Sequence, residues 1–502
     1  MRSIPRVVTL SLLVAIVSHL HAMLVALRTD QWVPAWPWAS LAFVEAALVV
    51  LVLNNPQAFT TRNFRLPGIF LATTTTIILT PLPSIVRRYG DLVPRDMVLA
   101  LTLGMAMVGL TMGVALRLPE RPATPAPTRS EQALPLAIVA AAVMVFPLWI
   151  ASLRTIPIVD LVRGTTSIDA ALARDAALSK LANAPLRIAV GSVRNLYLMF
   201  AVGWTVAAVV ATPPEHRRRR HRAILLAVGT LGMAGLYALV TTERLVIGQV
   251  LLVAIVASVV GARRNLTVKA LVLGIAAVGA FPVLFGLRSG VGGLGDTLAS
   301  LRRRVFFVPG DVMMHYFIEF PARTPHLRGA SIPKVSRVTG GETFDLSVYI
   351  FREYYQRDVR LVGNANGSFF GVAWANFGLN GVIVWSAVLG LGLVVVDRLI
   401  KRLPRRSAAA ITGVAAFQTA LLTSADISRA VFGFAPGLLD LVAAVAVVVW
   451  LDRRQGIGPP ASQRVVLMPA PTQSRSRPGI SARMMLIGAS PARATSPTAV
   501  ET

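Results

Sequence analysis

Apolar residues fall along this chain in runs of roughly 18 to 25, separated by polar stretches rich in arginine. Each run is long enough to carry a helix across about 30 Å of hydrocarbon. The pattern predicts an all-α polytopic membrane protein with about 12 transmembrane helices. They are expected near 7–27, 38–53, 68–86, 97–116, 133–151, 193–212, 223–241, 244–261, 268–287, 369–396, 407–424 and 431–451. The third run contains Pro81 and Pro83, which predict a kink or break near its far end. The seventh and eighth are joined only by a tight turn around Thr242-Glu243-Arg244. The first run follows Arg2 and Arg6 as a signal peptide would, but no small-residue cleavage site follows it, so it reads as an uncleaved helix.

The positions of the basic residues turn this list into a topology. With the N-terminus inside, the cytoplasmic loops carry Arg62 and Arg65; Arg117, Arg121 and Arg129; Arg217 to Arg220 with Arg222; Arg263, Arg264 and Lys269; and Arg398, Lys401, Arg402, Arg405 and Arg406. This bias predicts an N-in, C-in arrangement. Two long segments then lie outside, 152–192 and 288–368, the second between helices 9 and 10 and the largest polar stretch of the chain. Long external loops amid short cytoplasmic ones place the work on the outer face. The transmembrane domain is read as 1–451. The remainder, 452–502, is rich in Pro, Ser, Ala and Arg, cannot bury a core, and reads as a disordered basic cytoplasmic tail. Contact with anionic headgroups and free solvation are both open to it.

Composition narrows the function classes. Of 502 residues 55% are hydrophobic and only 15% charged, yet the net charge is +27. On a soluble protein that charge would mark a nucleic-acid surface. Here it sits at the ends of apolar runs, so membrane lipid and no nucleic acid is the expected partner. The absence of cysteine excludes disulfides and thiol chemistry, and no metal or cofactor is called for.

The 288–368 loop mixes arginines, carboxylates and aromatic residues. Arginine binds phosphate by bidentate contacts, tyrosine stacks on sugar rings or sits at a membrane interface, and a carboxylate can act as general base toward a sugar hydroxyl. Such parts suit a lipid-pyrophosphate-linked glycan. A loop resting on headgroups has the same composition, and both readings stay open. Periodicity predicts a helix over 342–355, with Glu342, Asp345, Tyr349, Arg352 and Glu353 on one arc and Phe344, Val348, Phe351 and Tyr355 on the other. Asn364 and Asn366 follow, then Asn376 inside the tenth helix, where an amide needs a partner.

Four segments resemble the bacterial oligosaccharide repeat-unit polymerases, the O-antigen polymerase type. They are Thr241-Thr242-Glu243-Arg244-Leu245; Arg304-Val305-Phe306-Phe307-Val308-Pro309-Gly310 running into His315-Tyr316-Phe317; Arg328-Gly329-Ala330-Ser331; and the Asn364/Asn366 segment leading to Ala375-Asn376-Phe377-Gly378 and Gly381. Together they span roughly a third of the chain.

The resemblance implies a multi-pass enzyme of the bacterial cytoplasmic membrane, working at its outer face. It would move a growing glycan from its polyprenyl pyrophosphate carrier onto the next lipid-linked repeat unit, without metal or cofactor. A flippase and a chain-length regulator would be its partners. On this reading Arg244, Arg288, Arg352 and Arg360 form the phosphate clamp. Asp345 and Glu342, then Glu319 and His315, are the candidate bases. Tyr349, Asn364, Asn366 and Asn376 complete the substrate site. Three rivals remain: a multi-helix transporter, a transferase using a polyprenyl-phosphate sugar, and a ligase that hands finished glycan to another acceptor.

Overall fold

The computed structural model describes residues 6–29, 33–59, 64–119, 129–153, 156–163, 173, 177, 183–241, 244–262, 294–332, 335–336, 342–356, 363–424 and 438–454. Among them all regular structure is helical, and eight helices are long and apolar enough to cross a membrane. The protein is an all-α membrane protein. The eight are Arg6–Arg28, Ala35–Asn54, Leu66–Leu92, Asp96–Arg117, Gln132–Ser152, Ala184–Ala211, Arg217–Val240 and Phe369–Lys401. Three further helices, Arg244–Ala262, Arg405–Leu421 and Leu438–Arg454, stand where the apolar pattern predicts spans. The expected span at 268–287 and the tail after 454 lie outside the described residues.

The outward faces explain why water is not the solvent of this bundle. Leu10 and Val17 on the first helix are 63% and 67% exposed, and Phe43 on the second is 76% exposed. Val384, Val388, Leu391 and Val395 form a similar exposed stripe on Phe369–Lys401. Contiguous apolar faces of this size belong against lipid. Inside, helices approach where side chains are small. A Cβ placed on Gly390 would meet the Val108 carbonyl oxygen at 2.6 Å, and one on Gly104 would meet Phe370 at 2.7 Å. Gly390 lets the backbones of Asp96–Arg117 and Phe369–Lys401 meet, and Gly104 makes room for the Phe370, Val382 and Ser386 side chains.

Among the described residues two spans are broken, and each break is satisfied by other parts of the chain. The third span widens into a π-turn at Thr75–Leu79, stops, and resumes as Leu82–Tyr89. Pro83 has no N–H to offer the Leu79 carbonyl four residues earlier. His19 Nε2 donates to that carbonyl at 2.9 Å, and Ser18 Oγ donates to the next, Thr80, at 3.1 Å. His19 Nδ1 lies 2.9 Å from Glu45 Oε2, with both side chains wholly buried and the imidazole stacked on Trp38. Because Nε2 must donate to a carbonyl, the Nδ1–Oε2 contact holds a single proton shared between the two groups.

The second break is at Gly378, whose φ of 62° is in the left-handed region. It frees the carbonyls of Ala375 and Asn376. The backbone N–H groups of Leu327 and Arg328 donate to them at 3.0 and 2.8 Å. The Asn376 side chain completes the joint. Its Oδ1 accepts from Gly329 N at 3.1 Å, and its Nδ2 donates to Ser331 Oγ at 2.7 Å and Val372 O at 2.8 Å.

At one end of the bundle the arginines are stapled to helix termini. Arg65 Nε pairs with the buried Asp397 at 2.7 Å, and the Leu66 N–H donates to the same carboxylate at 3.2 Å. Arg398 Nη2 donates to the Leu116 and Leu118 carbonyls, at 3.3 and 2.6 Å. Arg405 donates to the Gly261 carbonyl, and Arg406 lies over the Trp204 ring. The termini of Leu66–Leu92, Asp96–Arg117, Arg244–Ala262, Phe369–Lys401 and Arg405–Leu421 therefore meet at this end.

Breaking the Arg65–Asp397 pair from one side strands a buried charge. Asp397→Ala is expected to destabilise the folded protein by about 3–5 kcal/mol, whereas Arg65→Met with Asp397→Leu recovers most of that loss. Thermal unfolding in detergent measures both. An unchanged midpoint in the single variant would show that the pair is not needed.

Candidate functional site

The span Leu66–Leu92 runs from the Arg65 staple to the opposite end of the bundle, at most about 40 Å away at 1.5 Å per residue. There it delivers Arg88 and Tyr89 to a short helix, Val308–Glu319. Pro309 opens this helix at a position where its missing N–H costs nothing. Asp311, His315 and Glu319 follow at intervals of four, so all three share one face. The opposite face is core: Met313, Met314 and Phe317 are fully buried.

Each acid on that face is covered by hydroxyls. Tyr89 Oη donates to Asp311 Oδ1 at 2.8 Å, and Tyr355 Oη donates to Oδ2 at 3.4 Å. Glu319 Oε1 accepts from Tyr349 Oη at 2.6 Å and from Thr324 Oγ1 at 2.7 Å, while Oε2 accepts from Tyr354 Oη at 2.8 Å. His315 lies between the two acids. Its ring stacks on Tyr354 at 4.0 Å, and Tyr89 and Tyr355 meet it edge-on, both at 5.3 Å. Its Nε2 is 3.2 Å from Tyr89 Oη. The Tyr89 proton is already directed at Asp311, so Nε2–H must be the donor and Nδ1 keeps an unprotonated lone pair. That Nδ1 is buried without a hydrogen-bond partner. Two arginines flank the cluster: Arg88, 3.6 Å from Asp311 Oδ1, and Arg323, whose Nη1 donates to Tyr354 Oη at 3.2 Å.

Burial and charge fix the protonation states. Burial pushes the His315 pKa down to about 4, and the Arg88 and Arg323 charges lower it too, against an opposing pull from Asp311. His315 is therefore a neutral imidazole at pH 7. Burial acts to raise the Glu319 pKa, but the hydrogen bonds from Tyr349, Thr324 and Tyr354 and the Arg323 charge outweigh it and hold the carboxyl below its usual value. Burial first, and then the Glu319 hydrogen bond and charge, raise the Tyr354 phenol.

The residues expected from the sequence divide into three groups. His315, Glu319 and Tyr349 meet in this cluster. Asp345, Glu342 and Arg352 do not enter it. The helix predicted over 342–355 begins only at Leu346, because Asp345 caps it by accepting from Val348 N at 3.2 Å. Asp345 also accepts from Ser347 Oγ at 2.9 Å. Glu342 precedes the helix and is exposed, as is Arg352. Asn364 accepts from Ser347 Oγ at 3.2 Å, Asn366 is exposed, and Asn376 is the buried joint at the Gly378 break. Arg288 and Arg360, and the side chain of Arg244, lie outside the described residues.

Three of the four segments that carry the family resemblance interlock. The Arg328–Ser331 segment is hydrogen-bonded to Asn376. Tyr316 Oη donates to the Ala365 carbonyl at 2.8 Å and accepts from Gly367 N at 3.2 Å, which ties Val308–Glu319 to the asparagine segment. Sequence reasoning missed Tyr89, Tyr354 and Thr324 as partners of the acids, and Asp311 as a member of the site. The four-residue spacing of Asp311, His315 and Glu319 was the available signal.

Glu319→Ala leaves three hydroxyl donors without their acceptor. It is expected to lower stability by about 1–3 kcal/mol and to bring the Tyr354 phenol down toward its ordinary titration range. Calorimetry and an alkaline spectrophotometric titration read the two effects, and an unmoved phenol titration would contradict the assigned network. The chain matches no protein-family model, no curated protein and no solved structure.

Proposed function

We propose that this protein is a membrane glycan transferase, polymerising polyprenyl-pyrophosphate-linked oligosaccharide repeat units at the outer face of the bacterial cytoplasmic membrane. The observation that carries the reading is His315, a neutral imidazole with a free Nδ1 lone pair, set among tyrosines at the end of the bundle away from the arginine staples. A neutral imidazole can take the proton of an attacking sugar hydroxyl as the glycosidic bond forms and polyprenyl pyrophosphate leaves. Glu319 is the weaker candidate for that step, since three hydroxyls already occupy it. The interlocking of three resemblance segments around this cluster supports the same assignment.

A topology of about 12 spans with both termini inside accompanies the reading. Of the arginines that the charge bias assigns to the cytoplasm, Arg65, Arg398, Arg405 and Arg406 meet at one end of the bundle, away from the His315 cluster. The departing pyrophosphate needs cationic stabilisation. Arg88 and Arg323 flank the cluster and are added to Arg244, Arg288, Arg352 and Arg360 as candidates for it.

His315→Ala is expected to reduce polymer formation by about 10²–10⁴-fold, the usual contribution of a positioned base. In the wild-type protein the acid limb of the rate should fall near pH 4, where His315 gains its proton, and not near its ordinary 6.5. Polymer length on gels, with membrane insertion checked, and the pH profile of transfer are the readouts. Normal polymer from His315→Ala would remove the base.

One observation favours a second reading, a proton-coupled transporter. The His19–Glu45 pair is wholly buried within two spans and abuts a broken third. Ionisable residues in that setting often carry ions or protons. Solute uptake into proteoliposomes that depends on a pH gradient and is lost in Glu45→Gln would establish this reading over the first.

A further inference from the structure

The direction of each hydrogen bond in the His315 cluster determines what can bind there. Five hydroxyl protons point inward. Those of Tyr89 and Tyr355 go to Asp311, and those of Tyr349, Tyr354 and Thr324 go to Glu319. A phenol has one proton, so once it is directed at a carboxylate its oxygen offers only lone pairs. His315 adds another. With Nε2–H given to Tyr89, the partnerless Nδ1 is an acceptor, on a residue only 7% exposed. The exposed Arg303 acts on Tyr89 through its charge; among the described residues of the cluster the remaining donors are Arg88 and Arg323. Both are at the rim: the Arg88 side chain is 62% exposed, and Arg323 is exposed and already donates to Tyr354.

A phosphate or carboxylate brings only acceptors. Inside this cluster it would find no donor and would face the Asp311 and Glu319 carboxyls. A group bearing O–H or N–H finds the opposite, a ring of acceptors with no proton of their own to give. The aromatic faces complete the match. Tyr354 and His315 are stacked, with Tyr89 and Tyr355 edge-on beside them, and the four tyrosines of the cluster are half-buried. Such rings suit the C–H faces of a pyranose.

We propose that this cluster is a hydrogen-bond-accepting subsite for the donor-rich end of a saccharide, a terminal sugar with free hydroxyl or ammonium groups, and that it excludes phosphate. The proposal rests on the glycan-transfer reading and adds which part of the substrate lies here. The acceptor sugar sits on the half-buried tyrosine ring beside His315 and reaches the buried Nδ1 by displacing a covering side chain, and the pyrophosphate of the donor lies outside the ring. An ammonium-bearing sugar gains further from the two carboxyls.

Saturation-transfer NMR on the full chain in nanodiscs tests this, with methyl glucoside, methyl glucosaminide and inorganic pyrophosphate as probes. Saturation is expected to reach both glycosides, the glucosaminide more strongly, and an excess of pyrophosphate should leave the signals unchanged. Tyr354→Phe keeps the ring and removes the oxygen. Asp311→Asn turns an acceptor into a donor. Each should weaken glycoside binding by roughly three- to tenfold, the range for one lost hydrogen bond. Displacement of the glycosides by pyrophosphate, or equal signals in wild type and both variants, would overturn the subsite. The two layers fail separately. Absent glycoside binding alongside polymer loss in His315→Ala removes the subsite and leaves the transferase reading. Glycoside binding alongside normal polymer in His315→Ala does the reverse.

Discussion

Backbone polar groups inside hydrocarbon have no water to bond, so every break in a membrane helix must be closed by another part of the protein. Two such breaks govern this bundle. Pro83 strips the Leu79 carbonyl of its helical donor, and His19 supplies one from the first helix. Gly378 turns the tenth predicted span off its path and exposes the Ala375 and Asn376 carbonyls, which the Leu327 and Arg328 amides take up. Neither repair is local. Each ties a helix to a segment far away in sequence, and so fixes the direction of the chain beyond the break.

Those directions build the site. Leu82–Tyr89 leaves the first break carrying Tyr89 to Asp311 and His315. The second break pins the 327–331 segment, which follows directly on the helix bearing Glu319, the cis Phe320–Pro321 bond and Thr324. Trp374, one turn before Gly378, donates to the Phe320 carbonyl at 2.7 Å and holds the same corner. The result is a buried imidazole that stays neutral between two acids whose demands are met by phenols. Three hydroxyls and the nearby Arg323 charge together hold Glu319 ionised, and Arg88 lies 3.6 Å from Asp311. Both arginines are exposed at the rim, where they can meet a substrate in addition to their partners Asp311 and Tyr354.

Much of the fold was legible because lipid imposes a simple rule on composition. Eleven of the predicted apolar runs coincide with described helices, and Pro81 and Pro83 announced the first break. The sixth helix starts at Ala184, nine residues before the predicted span, because Asn183 caps it by accepting from Leu186 N and Pro185 fits its first turn. Gly378 was not legible: within Asn-Phe-Gly a glycine reads equally as close packing or as a left-handed turn. The site was half legible. One helix supplies Asp311, His315 and Glu319 at a regular spacing, but Tyr89, Thr324, Tyr349, Tyr354 and Tyr355 converge from segments whose meeting no local pattern encodes. Asp345 shows the opposite error. Periodicity placed it on a polar helical arc with Glu342, whereas its short side chain is better used as the cap that starts the helix.

We propose that the His315 cluster opens on the outer face while the arginine staples lie on the cytoplasmic side. The chain has no cysteine, so single cysteines can be introduced without removing any. Glu342 and Arg402 are both exposed, the first beside the helix that carries Tyr349 and Tyr354, the second at the stapled end. A membrane-impermeant maleimide applied to intact cells should label Glu342→Cys at once and Arg402→Cys only after lysis. Labelling in the reverse order would contradict the account.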